Sequence, residues 1–212
     1  MRPLLSSCLL ALLVAVSVRL AAVDEIIDRV LAVAAGSLIM LSDVRAALEF
    51  GFVSPGSAPD PVREVLSRLI DRALVLAEVD RYAPPEPSAG AVDRAVQAVR
   101  LRFSTPDAFA AALARVGMGD KYLRETLRED LRIRAYLDQR FTVVAPTDDD
   151  LGRFYRDHPE MFTRNGRLVP FDDVRQDVAQ AVVTDRRRLL VDEWMAGLRR
   201  RSEISDLYVP VR

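Results

Sequence analysis

"DRVLAVAAGSLIMLSDV", Asp28 to Val44, decides the fold. Its valine, isoleucine and leucine suit half-buried strands, and the break at Ala35-Gly36 predicts a tight turn joining two of them, Ile26 to Ala34 and Ser37 to Leu41. Gly36 supplies the positive φ that such a turn requires. Ser42 followed by Asp43 then reads as the cap of a helix, whose apolar positions Val44, Ala47 and Leu48 recur at helical spacing until about Gly51. A hairpin this short has no stable sheet of its own. The chain offers one complement, the β-prone tail "SEISDLYVPV" near Ile204, and a three-stranded arrangement satisfies both segments.

Between hairpin and tail the periodicity is helical. Asp60-Pro61 places a cap before a proline at the first helical position, and Val62, Val65, Leu66, Leu69, Ile70, Ala73, Leu74 and Ala77 form a broad stripe down to Tyr82, which predicts the central core helix. After "APPEPSAG", Val92, Ala95, Val96, Val99 and Phe103 predict a third helix. Thr105-Pro106-Asp107 opens a fourth, with Phe109, Ala112, Leu113 and Val116 inward and Gly117 as its stop. Leu123, Leu127, Leu131 and Ala135 mark a fifth from Gly119 to about Arg140. A sixth runs from Pro146-Thr147 to Pro159, and one long helix covers Phe171 to about Arg200. The fold class is therefore mainly α, with a small β-hairpin joined by a C-terminal strand.

The 212 residues are 50% hydrophobic and 29% charged, the range of ordinary globular chains. Residues 1–22 have a basic start at Arg2, an apolar run from Leu4 to Val18 and small residues at Ala21 and Ala22, the layout of a secretory signal. The run is stopped by Arg19, short of the roughly 18 to 20 residues of a spanning helix. Export to the periplasm or outside is expected, with a retained N-terminal anchor as the alternative. The apolar run follows Cys8 rather than preceding it, which argues against lipidation there. Cleavage after Ala22 leaves no cysteine, hence no disulfide, thiolate metal site or thiol chemistry. It also leaves 28 basic residues against 31 acidic ones, a balance with no bulk attraction for nucleic acid. Lys121 is the sole lysine, a bias that fits a GC-rich genome.

Catalytic patterns are missing. His158 is the only histidine, so neither a histidine-pair metal site nor a two-histidine dyad can be assembled, and its place before Pro159 reads as a helix end. No G-x-S-x-G elbow and no glycine-rich phosphate cradle occurs. Asp148, Asp149 and Asp150 point about 100° apart on a helix and read as first-turn residues favoured by the free N–H groups there, not as metal ligands. No metal or cofactor is expected. The runs Arg186-Arg187-Arg188 and Arg199-Arg200-Arg201 read as solvated surface, with contact to anionic lipid or an acidic partner as the alternative. Phe50, Phe52 and Val53 fall in a loop, either folded back over the core or presented as an apolar contact; they are the candidate client-binding residues.

The order of segments resembles a known family. "DRVLAVAAGSLIMLSDV", "VLSRLIDRALVLAEVDRY" and "FAAALARVGMGDKYLRETLREDLRIRAYLDQRF" are similar to the N-terminal domain of SurA-type periplasmic chaperones over most of Val23 to Arg140. "VVAPTDDDLGRFYRDHPEMF" looks like the segment that, in this wider family with its PrsA-like foldases, leads into a parvulin-type prolyl isomerase domain. "VPFDDVRQDVAQAV" and "EWMAGLRRRSEI" look like the helix and strand on the far side of that domain. Only "TRNGRLV" stands between, with Asn165-Gly166 predicting a tight turn. After the signal at 1–22, the resemblance implies a SurA-like helical domain at 23–145, a helix and short join at 146–170, and a long helix and strand at 171–212 that return to complete the core. It further implies an ATP-independent chaperone for unfolded envelope or outer-membrane proteins, without isomerase activity. A dedicated assembly factor for one secreted or outer-membrane partner is the alternative. A homodimer formed by swapping the last helix about the join near Gly166 is also open.

Overall fold

The structure is a computed structural model that describes residues 28–210, so the signal segment lies outside the described residues. Strands β1 (Val30–Ala34) and β2 (Ser37–Met40) pair antiparallel, with a register shift between Val30 and Ala32. Ala35 and Gly36 join them with φ of 49° and 79°, the left-handed pair of a type I′ turn. Strand β5 (Ile204–Asp206) pairs with the other side of β1, Val33 opposite Ser205, giving the order β2-β1-β5. The tail thus completes the sheet that the hairpin could not form alone. Both predicted strands are shorter in fact, β2 by the residue that begins the next helix.

That helix, α1 (Leu41–Glu49), starts two residues earlier than the Ser42 cap predicts. Ser42 lies inside its first turn and gives both its N–H (3.1 Å) and its hydroxyl to the Asp28 carboxylate, while Asp43 accepts from the Met40 N–H at 2.8 Å. The start is capped from the strand side because Asp28 sits across the hairpin base. Helix α2 (Pro61–Tyr82) begins at the expected Asp60, whose Oδ1 accepts from the Arg63 N–H at 2.9 Å. Helices α3 (Ala89–Arg100), α4 (Pro106–Arg115) and α5 (Asp120–Arg140) follow. Phe103 lies beyond α3 rather than in it, yet its ring packs against Phe50 and Phe109. Helix α6 (Asp148–Asp157) is capped by Thr147 and Asp150 and followed by a 3-10 helix (Pro159–Phe162). Strands β3 (Thr163–Arg164) and β4 (Arg167–Leu168) form a miniature hairpin whose turn, Asn165-Gly166, again has two positive φ values. Helix α7 (Phe171–Arg201) then runs 31 residues, about 46 Å at 1.5 Å per residue.

Three apolar clusters hold these elements. The first joins the sheet to α1, α2, the end of α5 and the end of α7, through Leu31, Val65, Leu66, Leu74, Tyr136 and Leu198. The second joins α1 to α3, α4 and α5, through Phe50, Val96, Phe109 and Leu123. The third lies between α6, the 3-10 helix and the first half of α7, where Val174, Val178 and Val182 recur every four residues. Helix α7 changes its buried face along its length and so binds the first and third clusters into one chain-spanning frame.

Candidate functional site

A groove of about 310 Å³ opens between the sheet edge, the α1–α2 connection, α2 and α5. Its floor is apolar: Ile39 of β2, Ala47 of α1 and Met118 join Leu69, Ala73 and Leu76 of α2. Leu69, Ala73 and Leu76 lie on one face of α2 because they recur at helical spacing, and that face is only partly covered by α5. Phe52 and Val53 line the groove as well. Phe50 does not, and its reading as an exposed contact is corrected: it is 1% exposed. Its ring lies 5.7 Å from Phe103 and 6.1 Å from Phe109, because the chain turns inward where α1 ends. Phe50 instead stacks on Phe52 at 5.7 Å and so fixes the ring that reaches the groove.

One wall carries charge. Among the described residues, Asp43, Glu125, Glu129 and Asp130 line the groove against a single guanidinium, Arg72. Arg72 donates to Asp130 at 2.8 Å, to Glu129 at 2.9 Å and to the Thr126 carbonyl at 3.1 Å. Burial opposes its charge, but the two carboxylates outweigh that and raise its pKa. The Tyr122 hydroxyl donates to Asp43 Oδ1 at 2.6 Å. Burial first, then this bond to a carboxylate, pushes the phenol well above its ordinary value, so Tyr122 stays a donor at any physiological pH. A second depression of about 470 Å³ lies between α2, α5 and α7, lined by Ile133, Leu137, Val191, Trp194 and Met195. Phe52, Arg72 and Asp130 border both.

The remaining sequence candidates lie elsewhere. Asp148 pairs with Arg175; Asp150 accepts from the Thr147 N–H at 3.0 Å and pairs with Arg186 at 2.7 Å, which is capping and helix tethering. His158 ends α6 with its ring 4.4 Å from Phe154. The arginine runs are partly consumed inside the fold. Arg187 reaches Asp138, Arg188 reaches Asp185, and Arg199 clasps Asp71 and Ser67 of α2. Among the described residues no group of three or more His, Cys, Asp or Glu is placed to hold a metal ion. Among them, too, no helix is long and apolar enough to cross a membrane. The groove offers an apolar floor and acidic hydrogen-bond acceptors, a surface for binding.

No family model matches the sequence, and no curated protein matches it significantly. A solved structure does: one of the SurA-like chaperones of Campylobacter jejuni described together as PEB4 and Cj1289. It superposes with a TM-score of 0.54 at 12% identity, over 85% of this chain and 99% of that one. The helical frame and its completing sheet therefore share the fold of a SurA-like chaperone.

Proposed function

We propose that this protein is an exported, ATP-independent holdase that shields apolar segments of unfolded envelope or outer-membrane proteins in the groove between β2, α2 and α5. The observation that carries the reading is the apolar floor left open in a fully assembled fold. The shared fold with a SurA-like chaperone supports it. Phe52 and Val53 are client contacts in this reading; Phe50 holds Phe52 in place. Binding and release follow mass action, with no chemistry. Prolyl isomerisation plays no part: the β3–β4 hairpin, Thr163 to Leu168, occupies the join where the family resemblance places a catalytic domain. Residues 1–22 direct export, and the arginine runs, Arg200 and Arg201 above all, are the surface that meets anionic lipid if the protein works at the membrane.

The test dilutes a chemically unfolded outer-membrane protein into buffer with purified protein and no nucleotide, and follows light scattering beside an isomerisation assay on the same sample. Suppression at near-stoichiometric ratio without isomerisation is expected. Exchanging exposed Leu38 and half-buried Val53 for serine removes groove surface without touching buried core and lowers protection at least about threefold. Absence of suppression across several clients overturns the reading. Protection of one client alone favours a dedicated assembly factor, which the acidic wall favours by narrowing what the groove accepts.

A further inference from the structure

The groove follows the rim of the sheet. Ser37, Leu38 and Ile39 all line it. Successive side chains of a strand point to opposite faces, so three in a row border one groove only when it runs along the strand's edge. That edge is open, since β2 is terminal in the order β2-β1-β5 among the described residues. The hydrogen-bond parity says which backbone groups it offers. Ala35 donates to the Glu203 carbonyl at 3.3 Å and Leu207 to the Leu31 carbonyl at 2.9 Å, so the odd-numbered residues of β1 face β5. The even-numbered ones, Ala32 and Ala34, face Ile39 and Ser37. Leu38 lies opposite Val33 in a non-bonded pair, and its N–H and C=O therefore aim outward along the groove. Its side chain is 61% exposed at the same place.

The acidic wall lines the same groove. Four lining carboxylates face one lining arginine, whose charge is already divided between Glu129 and Asp130. Arg128, outside the groove, is shared between Glu125 and Glu86. Asp43 is held by two neutral donors, the Met40 N–H and the Tyr122 hydroxyl, and not by a cation.

We infer that the groove takes an extended peptide segment that adds to the open edge of β2 at Leu38, seats apolar side chains on the Leu69–Ala73–Leu76 face and directs a lysine or arginine toward Asp43 and Glu125. This rests on the holdase reading and specifies its ligand: apolar stretches bordered by basic residues, in strand conformation. Backbone pairing supplies a sequence-independent grip, the floor supplies apolar contact, and the wall discriminates by charge.

The test measures anisotropy of labelled short peptides of alternating leucine and threonine with the purified protein. One carries a lysine at each end, its twin a glutamate at each end, and two further lysine peptides are N-methylated on the alternate amides of one edge or the other. The lysine peptide is expected to bind about fivefold tighter than its twin at 0.1 M salt. At 1 M, where the screening length falls to about 3 Å, the ratio approaches one. It also approaches one in the Asp43→Asn, Glu125→Gln double variant, because two wall charges are gone; the single amide oxygen at position 43 keeps one of the two bonds that Asp43 accepts, from Tyr122 or from the Met40 N–H. One of the two methylated peptides loses at least about tenfold, since one edge alone faces β2. Equal affinity of the twins, or equal affinity of both methylated peptides with their parent, overturns the inference. Failure of the holdase reading is a separate observation, the absence of aggregation suppression with a full-length client.

Discussion

Asp28 carries more of the fold than its place outside any element suggests. Its carboxylate takes the N–H and hydroxyl of Ser42 and so ties the hairpin base to the start of α1. Asp28→Ala should cost about 1 kcal/mol, the usual loss of a helix cap, read as a lower urea midpoint at unchanged slope. Asp150 makes a second prediction. The Thr147 N–H first, then the Arg186 guanidinium, hold its carboxyl at about 2, below the ordinary 3.8 of an aspartate. A depressed folded value contributes stability that is complete above about pH 4 and is lost as the pH falls through about 2. Asp150→Asn abolishes that contribution, so melting curves of variant and parent should differ most near neutrality and draw together near pH 2. Persistence of the full gap at pH 2 would refute the assignment. Legibility at this scale was uneven. The capping of α2 by Asp60 was readable, because a cap bonds residues three apart, whereas Ser42, expected to cap α1, lies inside its first turn. The burial of Phe50 was not, because the rings that enclose it come from Phe103 and Phe109, more than fifty positions away.

Elements were legible where their signals are local. The two turns at Ala35-Gly36 and Asn165-Gly166 adopt the positive φ that their sequences announce. Gly166→Ala therefore destabilises the β3–β4 hairpin by about 1 kcal/mol, since Gly166 sits at φ 74°. Helix α7 was legible as one helix, but its change of partner was not: a stripe tells that a face is buried, never against what. Its first half packs on α6 and its last turns on α2 and the sheet. Two substitutions separate these roles by hydrogen exchange. Phe162→Ala, at a cost of about 3–5 kcal/mol to its own cluster, should open amides of α6 and the first half of α7 while the hairpin and α2 stay protected. Leu198→Ala should cost about 2–5 kcal/mol and open the reverse set. Identical exchange patterns in the two variants would mean that the clusters unfold as one.

The whole molecule depends on strand β5 returning to β1. Strand β5 covers one edge of β1, and at its end Arg63 of α2 pairs with Asp206 and donates to the Tyr208 carbonyl at 3.2 Å, while the Tyr208 hydroxyl donates to Asp60 at 3.0 Å. Ending the chain after Arg201 should strip β1 of one of its two partners, lower the melting temperature and raise the apparent mass in light scattering as bare edges pair between copies. A truncated protein that stays monomeric with unchanged melting would show that the tail is dispensable. The sequence by itself determined the helix count, the turns, the Asp60 cap of α2 and the need for a third strand, because periodicity, capping and turn geometry act between residues a few positions apart. Tertiary structure alone decided the groove: Tyr122 meets Asp43 across 79 positions, and Arg72 meets Asp130 across 58. Which faces remain open and which carboxylates gather beside them depends on how helices cross, and that is settled by the packing of all the apolar stripes together.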